Sequence, residues 1–128
     1  MRVEPHSPIR VVAVAVAALW VPLDSTAHHS FAMFDANQTF TVHATVKEFQ
    51  WGNPHTWLEL VVLNSDGTEK PLSLELNGIS GLQRNGWKPG TVKPSDKITV
   101  TYHPMRDGTP AGQLVGLITE DGKTLKGQ

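Results

Sequence analysis

The sequence contains no cysteine. Disulfides and thiolate metal sites are therefore excluded, and stability must come from packing alone; an oxidising compartment permits disulfides but does not require them. Charge of either sign is thin and balanced, with 11 basic and 12 acidic residues and a formal net charge of −1. The basic residues are scattered, so the electrostatic footprint of a nucleic-acid binder is missing. Aromatic residues make up only 7% of the chain, which makes the place of each one informative. No apolar run is long enough to span a bilayer as a helix: the longest, Val11 to Val21, has the length of a signal-peptide core. No phosphate-binding loop, calcium loop or zinc-hydrolase helix is present. Gly78-Ile79-Ser80-Gly81 is not a nucleophile elbow and lacks the surrounding α/β pattern.

What is present begins with an export signature. Arg2 and Arg10 form a basic leader offset by Glu4, the apolar run follows, Pro22 breaks it, and Ser25-Thr26-Ala27 offers small residues to a signal peptidase. The expectation is a signal peptide over residues 1–27, an N-terminal arm over 28–38 and one barrel domain over 39–128. The protein is expected in the periplasm or secreted from a bacterial cell, meeting the membrane only during export.

Period-two alternation dominates the remainder. Phe40, Val42, Ala44 and Val46 alternate with polar residues, and the parity slips near Lys47 and Glu48, where a bulge would let the strand bend. Gly52-Asn53-Pro54 makes a turn. A second strand alternates Leu58, Leu60 and Val62 with His55, Trp57, Glu59 and Val61, and a third carries Leu72, Leu74 and Leu76. Ile79 to Asn85 reads as a short helix, with Asn77 at its start and Gly86 at its end. Ile98, Val100 and Tyr102 mark a fourth strand, Leu114 to Thr119 a fifth, and Asp121-Gly122 can fold back a short tail. Three strands, a helix and two strands predict an all-β fold: a small five-stranded OB-like Greek-key barrel with one short helix between strands 3 and 4.

Cleavage after Ala27 would expose His28 as the first residue, so that its α-amine and imidazole could chelate a metal together. An α-amine has a pKa near ~8 and yields its proton at modest cost. A nitrogen-rich site open to the periplasm favours copper. The candidate metal ligands are His28, His29, His43, His103 and Asp35. A register pairing His43 with His103 across neighbouring strands would put their rings on one outer face, with the arm supplying the rest. The competing reading is that these residues are a solvated polar face and a chain end.

A second candidate site is a ligand face of Trp51, Asn53, His55 and Trp57, with indoles as stacking platforms. This would make the protein a non-catalytic module for a small ligand or an envelope protein, with no metal and no nucleic acid. No second catalytic constellation accompanies the histidines, so binding is expected ahead of catalysis.

His28-His29-Ser30-Phe31, Trp51-Gly52-Asn53-Pro54-His55 and Asn85-Gly86-Trp87 together resemble the bacterial family named domain of unknown function 6152, small exported proteins. The resemblance implies export and a single domain and brings no activity with it. If the family shares a site, the resemblance implies His28, His29, Trp51, Asn53 and His55.

Overall fold

A computed structural model describes residues 31–128. The expected leader, the cleavage site and the His28-His29 pair lie outside the described residues. After a 3-10 turn at Phe31–Met33 come β1 (Phe40–Gln50), β2 (Thr56–Leu63), β3 (Glu69–Leu76), α1 (Ile79–Arg84), β4 (Lys97–Pro104), β5 (Ala111–Thr119) and β6 (Thr124–Lys126). The sheet order is β3-β2-β1-β4-β5-β6, antiparallel throughout except for a parallel β3–β5 pairing that closes the first five strands into a barrel. This is the OB-like architecture expected from the element order, with β6 added along β5 as the tail strand.

Alternation places the core. Leu58, Leu60, Leu72, Leu74, Leu76, Val100, Leu114 and Leu117 are buried and fill the interior, the residues between them facing outward. The bulge falls between Val46 and Glu48 in the β1–β2 register, where the parity of the sequence slips. β1 thereby turns from its β4 partner at Phe40–Thr45 to its β2 partner at Ala44–Gln50. A second shift, opposite Thr101 and Tyr102, leaves Val115 as an extra residue on β5 between Gly116 and Leu114 and bends that strand. Gly112 sits at that closure. A Cβ there would run into the carbonyl oxygen of His103 and the ring of Tyr102, so only glycine lets β5 pass between β3 and β4.

The helix is too short to persist alone and lives on its contacts. Leu82 is fully buried in the core. Its end is a Schellman arrangement: the N–H of Gly86 donates to the carbonyl of Gln83 and that of Trp87 to the carbonyl of Leu82, with Gly86 at φ 86°. Asn77, the expected start signal, instead accepts from the neighbouring N–H of Gly78. The side chain that receives a helical N–H is Asn53, a turn away in space.

The arm is tied to the barrel rather than trailing from it. Phe34 is buried and bridges Met105, the N–H of Asp35 donates to the carbonyl of Pro104, and that of Arg106 to the carbonyl of Met33. No helix among the described residues is long and apolar enough to cross a membrane.

Candidate functional site

The two internal distinctive strings, Trp51-Gly52-Asn53-Pro54-His55 and Asn85-Gly86-Trp87, meet at the helix end of the barrel. Trp87 is buried, stacks on Phe49 at 5.7 Å and donates its indole N–H to the carbonyl of Lys126 at 2.7 Å. Trp51 also packs against Phe49 at 5.7 Å, its ring tilted, and against the core. The β1–β2 turn, with a cis Asn53–Pro54 bond, then brings Asn53 Oδ1 to the N–H of Ile79 at 3.0 Å. Gly78 lies so close beneath this turn that a Cβ would stand 2.7 Å from the carbonyl oxygen of Pro54. Thr56, fully buried, accepts from the N–H of Gly52 and donates to its carbonyl. Asn53 thus ties the turn to the helix, while Trp51 packs on Phe49 and the core.

His55 follows the turn and is half-buried. Its Nδ1 lies 3.0 Å from Oε1 of Glu75 and 3.3 Å from the carbonyl oxygen of Leu76. Facing two acceptors, Nδ1 carries the proton, so in the neutral ring the lone pair is on Nε2. Glu75 is the unexpected member. On β3 it stands between Leu74 and Leu76 and belongs to the outward parity, yet only 4% of it is exposed. Its Oε2 is buried and has no hydrogen-bond partner among the described residues. Burying a carboxylate costs several kcal/mol unless it is paired and hydrogen-bonded. From the sequence, Glu75 reads as a solubilising residue on a strand face; alternation gives its parity and gives nothing about what covers it.

Trp57 stands opposite Glu75 in the β2–β3 register. Across the closure Gln113 is Glu75's partner on β5, and His103 is Gln113's partner on β4. These four positions form one row across the barrel wall. His103 is two strands from Glu75, about 10 Å at the usual strand spacing, and its Nδ1 is 2.8 Å from the carbonyl oxygen of Gln38.

The expected pairing of His43 with His103 does not occur. His43 stands opposite Thr99 and contacts its hydroxyl at 2.9 Å. Phe40 is opposite Tyr102, so the two histidines are separated by several residues along the strands. The register follows the alternation of the two strands' apolar faces, which permits any even shift; the choice among these was not visible in the sequence. Asp35 is occupied locally, accepting from the N–H of Asn37 and the amide of Gln38, with Arg106 Nη1 at 3.8 Å. Among the described residues no three His, Asp or Glu side chains gather in a geometry to hold a metal ion. His28 and His29 lie outside the described residues.

Residues 12–114 match a family of unknown function, DUF6152. Comparison with curated proteins and with solved structures finds no significant match. The chain belongs to the DUF6152 family, and its two distinctive internal strings are the ones that converge on the helix end of the barrel.

Proposed function

We propose that this DUF6152 protein is an exported, non-catalytic binding protein for a transition-metal ion of the copper type. His55 is the ligand the barrel holds in place, and His28 and His29 are further donors carried by the chain end that export would create. The observation that supports this reading is Glu75, almost wholly buried, with Oε2 unpartnered among the described residues, and set 3.0 Å behind the His55 ring. A carboxylate on one ring nitrogen fixes the tautomer and raises the basicity of the other, the usual arrangement behind a metal-bound histidine. The donor set fits a nitrogen-seeking ion, since no thiolate is available and imidazole with an α-amine suits copper. His43, opposite Thr99, and His103, two strands from Glu75, stand apart from each other and from His55, and Asp35 is held by Asn37, Gln38 and Arg106, so these three are left out of the set.

The test is calorimetric titration of Cu(II) into the exported form, with a His28 terminus confirmed by mass spectrometry. Tight one-to-one binding is expected. His55→Gln keeps a donor toward Glu75 but removes the imidazole and should weaken binding by at least about tenfold. One extra residue ahead of His28 should weaken it comparably, because the amine is lost as a positioned ligand. Unchanged affinity in His55→Gln would remove His55 from the site. Absence of tight binding in the unaltered protein would leave the Trp57–His55 face as a docking surface for a small ligand or envelope protein.

A further inference from the structure

The barrel has two ends, and the site above occupies the one plugged by α1. The opposite end is framed by the start of β1, the first half of β3, the end of β4 and the β4–β5 loop. It holds a cleft of about 490 Å³, within the usual range for small-molecule sites. Leu72, 5% exposed and part of the core, lies at its floor. Phe40 and Tyr102, opposite one another on β1 and β4, meet edge-to-face at 5.9 Å and form an aromatic wall. Pro104, Met105 and Pro110 supply the facing apolar surface.

Among the polar groups at this cleft, two present donors that the fold does not use, those of Arg106 and Tyr102. Arg106 donates Nε–H to the carbonyl of Ala32 and approaches Asp35 only to 3.8 Å, leaving further guanidinium N–H groups on a side chain 54% exposed. Asp35 is already served by the N–H of Asn37 and the amide of Gln38. The Tyr102 hydroxyl makes no hydrogen bond among the described residues. Phe40 is 45% exposed at the rim, so much of its ring faces the cleft mouth and solvent. An apolar floor, an aromatic wall and the unused donors of Arg106 and Tyr102 at the lip suit a ligand with an apolar body and an accepting head.

We propose that the barrel mouth opposite the helix binds a small amphipathic organic acid, its apolar body lying on Phe40, Tyr102 and Leu72 and its carboxylate taken by Arg106 and the Tyr102 hydroxyl. This site is separate from the His55–Glu75 pair and needs no metal, so it stands or falls independently of the copper reading.

The experiment uses three metal-free probes with one body and different heads: 3-phenylpropanoate, 3-phenylpropanol and 3-phenylpropylamine, each titrated by calorimetry and by ligand-observed NMR. The carboxylate should bind about tenfold more tightly than the alcohol, because charge-assisted hydrogen bonds are roughly twice as strong as neutral ones, and the amine more weakly than either. Phe40→Ala, at an exposed position, should weaken all three probes with the fold intact. Tyr102→Phe keeps the ring and should weaken the carboxylate most, the alcohol less and the amine not at all. Arg106→Lys keeps charge and loses the fork, and should cost the carboxylate several-fold. Failure of all three probes to bind, equal affinity for the three heads, or indifference to both Phe40→Ala and Tyr102→Phe would overturn the proposal. Cu(II) affinity should be the same with and without saturating 3-phenylpropanoate.

Discussion

Nδ1 of His55 stands 3.0 Å from Oε1 of Glu75, with the histidine partly open to solvent and the glutamate almost wholly enclosed. The asymmetry decides how the pair answers to mutation, because losing either partner strands the other in a different environment.

Removing the imidazole with His55→Ala leaves a buried carboxylate without its partner and should cost about 3–5 kcal/mol. Glu75→Leu leaves only a half-exposed ring that can stay neutral, and should cost much less or even stabilise. Urea unfolding of both variants measures the difference. Unequal burial alone produces that difference, so copper affinity is the readout that bears on binding: it should fall in Glu75→Leu while the fold stays firm, and an unchanged affinity would make the pair purely structural.

Trp87 should be the most costly aromatic to truncate. It is 1% exposed, stacked on Phe49 and bonded to the carbonyl of Lys126. Trp87→Ala should cost about 3–5 kcal/mol. Trp87→Phe keeps most of the packing and leaves that carbonyl without its indole donor, a loss of about 1–3 kcal/mol. Denaturant midpoints at constant slope would check both values.

The β1–β2 turn should prove to be a helix cap supplied from a distance. Asn53→Ala removes the acceptor for the N–H of Ile79 and should cost about 0.5–2 kcal/mol, as a lost cap does. Gly78→Ala should cost more, since its Cβ would press on the Pro54 carbonyl and force the turn off the helix. Faster amide exchange at Ile79 and Ser80 in Asn53→Ala would mark the effect as local; exchange rates equal to those of the unaltered protein would show the contact to be without weight.

Tyr102 is the sole tyrosine of the chain, so absorbance at 295 nm reports its ionisation alone. Burial pushes the phenol above its ordinary value. Because the folded state disfavours the phenolate, the associated stability is complete below the unfolded value and is lost as pH rises through the folded one. The titration midpoint of the native protein should lie above that of the protein in urea. Saturation with 3-phenylpropanoate should raise it further, since a carboxylate accepting from the hydroxyl favours the neutral form.

How much of this was legible in the chain differs from element to element. The strands were, because alternation at Phe40–Val46, Leu58–Val62 and Leu72–Leu76 records burial on one face. The slip at Lys47-Glu48 announced the bulge for the same reason, and the Asn85-Gly86 helix end was readable because φ 86° at Gly86 asks for glycine. The His43–His103 pairing failed because parity fixes which face a residue takes and not which residue stands opposite. The cover over Glu75 was not legible because parity cannot say that an outward position is enclosed, nor was the bond from Ile79 to Asn53, whose two partners are distant in sequence.

By itself, then, the sequence determined the all-β class, the order of strands and helix and the core-facing residues, since these depend on local periodicity and turn chemistry that each segment carries alone. The tertiary structure decided the register, the closure through Gly112, the burial of Glu75 behind His55 and the cleft between Phe40, Tyr102 and Arg106. Each of these depends on distances between segments far apart in the chain, set only when the barrel closes and every strand must satisfy two neighbours at once.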